Sequence, residues 1–155
     1  MKTKAHAVAG ALALLTICIF WCATAATELF GDAAAIASVK KCIVAGMLVL
    51  IPAMAVAGAL GLSLGRGWRS PAVERKKRRM KIAAANGILI LIPSAVFLAG
   101  RAEAGAFDAA FATVQALELI AGAVNITLLS LNMRDGLALR RKPARPASGP
   151  ERMPA

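Results

Sequence analysis

The sequence predicts an all-α membrane protein, a bundle of four transmembrane helices, and three observations carry that expectation. First, 59% of the 155 residues are hydrophobic and the mean hydropathy is +0.67, whereas a soluble domain of this size is about half apolar. Second, the apolar residues fall in four blocks long enough to cross ~30 Å of hydrocarbon, which takes roughly 20 helical residues. Third, the charges, with a net of +11, fall between the blocks. Alternating strand patterns are missing, so a transmembrane β-barrel is not expected. Alanine is abundant throughout, and small residues at this density let helices approach closely.

The first span covers 6–26 (HAVAGALALLTICIFWCATAA). Its basic start, MKTK, and the ATA at 23–25 also describe a secretory signal peptide, whose removal after Ala25 would leave three spans. The apolar run exceeds the ~7–15 residues of a signal core, which favours a retained helix. An outer loop is expected over 26–41, with Gly31-Asp32 as its turn and Asp32 able to cap a helical approach to the next span. The second span covers 41–64 and the third 82–100, with Pro52 and Pro93 inside them. In lipid each proline frees a backbone carbonyl and can kink its helix. Between these spans, Ser70-Pro71 reads as a helix start, because Ser can cap and Pro fits the first turn. The fourth span covers 109–133. Together these make one domain over 1–140, followed by a proline-rich basic tail, 141–155, expected to be disordered.

Orientation follows from the lysines and arginines. With a cytoplasmic N-terminus, sixteen of them lie on inside segments, and only Lys40, Lys41 and Arg101 lie outside. The positive-inside rule therefore predicts both termini in the cytoplasm. Composition, rich in Ala and Arg, points to the inner membrane of a bacterium. The run Arg75, Lys76, Lys77, Arg78 and Arg79 is expected to fix topology and contact anionic lipid headgroups, each cation contributing about 1 kcal/mol; a nucleic-acid partner is not expected.

The fourth span carries the polar residues that matter most. Gln115, Glu118, Gly122, Asn125 and Asn132 recur at spacings of 3, 4, 3 and 7, so they share one narrow helix face. That face should point into the bundle, because an ionised Glu at mid-depth costs at least a few kcal/mol in lipid. Glu118 lies ~13 Å below the outer end of its span, and Asn86 on the third span is the natural partner of Asn125. Glu118 is either polar glue between helices or a titrating group in cation or proton transport. Lys40 and Lys41 could reach inward to it, although they more simply anchor the second span at the headgroups. Glu28 would then face one of them in an exposed, weak pair. If Glu118 is protonated glue, Glu118→Gln should preserve assembly.

Other residues offer weaker alternatives. Ala53, Ala57, Gly61 and Gly65, each four apart, form a small-residue ridge for close packing within the protomer or in a homo-oligomer. His6 is the sole histidine. A b-type haem needs two axial ligands, so His6 would require Met80 or a second copy of the chain. Cys22 and Cys42 lie at similar depth and could pair in an oxidising compartment. With Cys18, Met47 and Met54 they are soft donors suited to Cu(I), but without metal-motif spacing. No nucleotide loop, nucleophile elbow or paired carboxylates occur, so an enzyme, a cofactor or a bound metal is not expected. The leading expectation is a non-catalytic accessory or assembling membrane subunit. A small proton- or cation-coupled carrier or channel using Glu118 is the alternative, and a haem-b electron carrier the second.

Overall fold

The computed structural model describes residues 2–64 and 71–141. They form α1 (Lys2–Phe30), α2 (Ala33–Leu64), α3 (Pro71–Asn86), α4 (Ile92–Glu103) and α5 (Ala109–Arg141), with a π turn over Gly87–Leu91 joining α3 to α4. No strand occurs among the described residues. Four helical segments are long and apolar enough to cross a membrane: Thr3–Phe30, Ala33–Ser63, Glu74–Glu103 and Ala109–Ala138. Residues 142–155, holding nearly all of the expected disordered tail, lie outside the described residues, as do Gly65 and Ser70.

The helices overrun the expected spans, most consequentially at 26–41. This stretch is not a loop but is helical on both sides of Gly31 and Asp32. The reason is local. The Gly31 N–H closes α1 on Thr27 O at 2.9 Å, and Asp32 Oδ1 accepts the Ala35 N–H at 2.8 Å, so a two-residue break stops one helix and caps the next. Because α2 starts at Ala33, Lys40 lies about two turns inside it rather than at its mouth.

Proline is absorbed differently in the two central helices. Pro52 sits within α2. Pro93, which has no N–H to give, follows a π turn in which the Ile92 N–H bonds Gly87 O, five residues back.

The turn between α4 and α5 is held by two end-motifs. Gly105, at φ 68°, takes the left-handed position after α4, where the Gly105 and Ala106 N–H groups return to Ala102 O and Arg101 O at 3.1 and 2.9 Å. Asp108 caps α5 through the Phe111 N–H at 3.0 Å and pairs with Arg101. The Phe111 N–H, and then Arg101, hold the Asp108 carboxyl below its ordinary value of 3.8. A depressed carboxylate stabilises the fold above its unfolded pKa, and that contribution is lost as pH falls through the folded value. Thermal melts in detergent should therefore lose stability on acidification below about 3.8, and Asp108→Asn, which caps without titrating, should flatten that part of the profile. An unchanged profile in the variant would remove Asp108 as its source.

The helices close into a ring: α1 packs on α2 and α5, α2 on α4, and α5 on α3 and α4. α1 runs antiparallel to α2, since His6 meets Ala57 and Phe20 meets Gly46, and α3 to α5, since Arg79 meets Asp135 and Asn86 meets Asn125. Close approach has visible causes. The Phe20 ring lies over Gly46, and the Trp21 indole lies over Gly122. In the small-residue ridge, Ala53 is buried and Gly61 lies under His6 and Met80, so that much of the ridge is spent inside the protomer. The polarity of the whole is inverted relative to a soluble protein. Val8, Leu15, Leu48, Leu89 and Ile120 are more than half exposed, while Lys40, Gln115, Glu118, Asn125 and Asn132 are buried.

Candidate functional site

The polar face of α5 meets the other helices in three layers. In the first, near the two short turns, Lys40 Nζ donates to Glu118 Oε2 at 2.5 Å, and Gln115 Nε2 lies 3.3 Å from the same oxygen. Lys40 is 1% exposed and Glu118 9%. This corrects the expectation that Lys40 anchors α2 at the headgroups: starting α2 at Ala33 turns Lys40 inward, while Lys41, the next residue around the helix, points out and pairs with Glu103 at 3.2 Å. Glu28 is not the outward partner of either lysine. Its Oε1 is buried without a hydrogen bond among the described residues, as is Gln115 Oε1. Two apolar clusters flank the layer, Leu98, Ala102 and Phe111 on one side and Ile43, Met47 and Ala95 on the other.

The second layer is an amide lock. Asn86 Nδ2 donates to Asn125 Oδ1 at 2.9 Å and to Ala121 O at 2.8 Å, and Asn125 Nδ2 donates to Ala83 O at 3.2 Å. Asn125 is completely buried. Five backbone or side-chain groups on α3 and α5 are thereby satisfied by the two amides, which is how interhelical amides stabilise packing in lipid.

The third layer lies toward the basic end of the bundle. His6 Nδ1 lies 2.9 Å from Ala57 O; since the carbonyl can only accept, Nδ1 carries a proton, and in the neutral ring Nε2 is then the free nitrogen. His6, Lys76, Met80 and Asn132 line a cavity of about 250 Å³ between α1, α3 and α5. His6 and Met80 are the side chains that could hold a haem iron here, and donation from Nδ1 to a carbonyl is the orientation that an axial imidazole takes. Cys18, Cys22 and Cys42 are free thiols, and Cys22 and Cys42 are exposed.

Comparison with family models, with curated proteins and with solved structures finds no match.

The structure winds the basic run 75–79 into α3, which divides it by face. Arg75 and Arg78 are exposed, Lys77 pairs with Glu74 at 3.2 Å, Arg79 pairs with Asp135 of α5 at 2.6 Å, and Lys76 turns to the cavity. Sequence reasoning missed the Asp135 contact, although a signal was there: Asp135 stands three residues after Asn132, the next position on the same face. It also missed the bonds of Trp21 to Leu119 and His6 to Ala57, whose acceptors are backbone carbonyls and leave no trace in composition.

Proposed function

We propose that this chain is a multi-pass protein of a bacterial inner membrane, both termini cytoplasmic, acting as a non-catalytic accessory or assembling subunit. The inverted polarity of the bundle and the gathering of cations at one end support the membrane placement and its orientation. The observation that carries the functional reading is the closure of the intramembrane acid. Glu118 is tied to Lys40 at 2.5 Å, and apolar clusters lie on either side of the pair. A neutralised pair enclosed in this way works as a clamp between α2 and α5. It is poorly placed to pass an ion along the bundle.

One observation favours the carrier reading instead: Glu28 Oε1 and Gln115 Oε1 are buried without partners among the described residues, and a cation or a hydrogen-bond donor would satisfy them. Proteoliposomes separate the two. Purified protein in vesicles with an imposed pH or Na⁺ gradient should give no flux above empty vesicles, and mild-detergent extraction should bring down partner membrane proteins. Gradient-driven flux that disappears in a folded Glu118→Gln variant would establish the carrier and end the accessory reading.

A further inference from the structure

The cavity between α1, α3 and α5 holds polar groups that helix packing leaves unexplained. Asn132 is 6% exposed, and neither its Oδ1 nor its Nδ2 has a partner among the described residues. Native chains seldom leave both ends of a buried amide unpaired unless water or a ligand completes them. Asn132 lines a space of about 250 Å³, its amide set in the wall, and the lining is otherwise largely apolar, including Ala11, Leu129 and Leu137. Two more polar residues line it, His6 and Lys76, the ammonium of Lys76 reaching the wall at Gly136.

The donor and acceptor pattern defines what fits. Lys76 supplies positive charge and donors, Asn132 one acceptor and one donor group, and His6 Nε2 an acceptor while neutral. The complement is an anionic oxygen together with hydroxyls, on a molecule with an apolar portion. We infer that the cavity binds one phosphatidylglycerol-type lipid, its phosphate at Lys76, its headgroup hydroxyls at Asn132 and His6, and the start of an acyl chain along the apolar wall. An ethanolamine headgroup would bring a second ammonium beside Lys76. The cavity also lies at the right level, where exposed Ile82 gives way along α3 to exposed Arg78 and Arg75, the apolar-to-charged border at which a lipid headgroup sits. The assignment rests on the membrane reading above.

Native mass spectrometry of the full-length chain, extracted in mild detergent and then delipidated, tests it. Extraction of the source membranes with alkaline carbonate comes first: a chain released by carbonate overturns the membrane reading and this site with it, whereas a retained chain that takes up no lipid overturns the site alone. Titration with dioleoyl-phosphatidylglycerol should give one retained adduct per chain, in preference to dioleoyl-phosphatidylethanolamine, and glycerol 3-phosphate should give none. Lys76→Gln and Asn132→Leu should each weaken retention about tenfold, as expected for loss of a hydrogen bond to a charged or buried partner. Asn132→Leu removes no internal bond, so its melting temperature without lipid should not fall. Replacing the exposed Arg75 and Arg78 by Gln should leave the adduct intact. Equal uptake of both lipids, binding of glycerol 3-phosphate as tight as that of the lipid, or retention insensitive to Lys76 and Asn132 would overturn the assignment. So would a Soret band in protein from haem-supplied cells, which would give the cavity to a His6–Met80 haem.

Discussion

Lys40→Met is expected to destabilise the bundle by about 3–5 kcal/mol, the range found when one member of a buried ion pair is removed and the other is left uncompensated. Both members are buried, with Lys40 at 1% exposure and Glu118 at 9%, at a separation of 2.5 Å. Glu118→Leu should cost a similar amount by stranding the ammonium. The double variant, Lys40→Met with Glu118→Leu, should recover most of the loss, since well-packed apolar pairs of similar volume replace buried ion pairs at little net cost. Denaturant unfolding in detergent micelles, run as a double-mutant cycle, measures all three; single variants as stable as the parent would show that the contact does not clamp α2 to α5. The same geometry revises the expectation for Glu118→Gln. A glutamine replaces a protonated acid well, but it cannot balance Lys40, so this variant should also lose stability.

Gly46→Leu should be the next most damaging change, costing about 1–3 kcal/mol through overpacking. A Cβ at Gly46 would stand 2.4 Å from Phe20 Cζ and 2.9 Å from Cε1. Either the partly buried Phe20 ring must swing out of its packing against Ile43, Met47 and Ala95, or α1 and α2 must separate. Gly58 supplies the control. Nothing lies within 4 Å of a Cβ built there, and Gly58→Ala should be neutral or slightly stabilising because Ala is the better helix former. Equal effects at Gly46 and Gly58 would mean that α1 and α2 do not approach at Phe20.

Much of this arrangement is legible in the residues. The apolar blocks mark the four long helices, and the 3-4-3-7 spacing on α5 marks the side chains that the structure buries, because both depend on short-range periodicity. Lys40 is harder. Its direction depends on where α2 begins, and Ala-rich sequence on both sides of Gly31-Asp32 gives no apolar edge at which to place that start. The inner part of the basic run is hidden for a related reason: five consecutive cations read as one charge block until the helix half-buries Lys76 and Arg79 and leaves Arg75 and Arg78 exposed. Contacts to carbonyls, such as those at Leu119 and Ala57, depend on how two helices are rotated against each other, which no single segment encodes.

The π turn before Pro93 also decides which way the upper half of the third rod looks. Along an unbroken α-helix, eight steps would leave Ser94 rotated ~80° from Asn86; absorbing one residue in the wider turn cuts that to ~20°. Asn86, which reaches α5, and the buried stripe of Ser94, Leu98 and Ala102 are thereby brought to the same azimuth. The proline that interrupts the ladder is accompanied by a phase correction that lets one helix serve the amide lock below and the apolar cluster above.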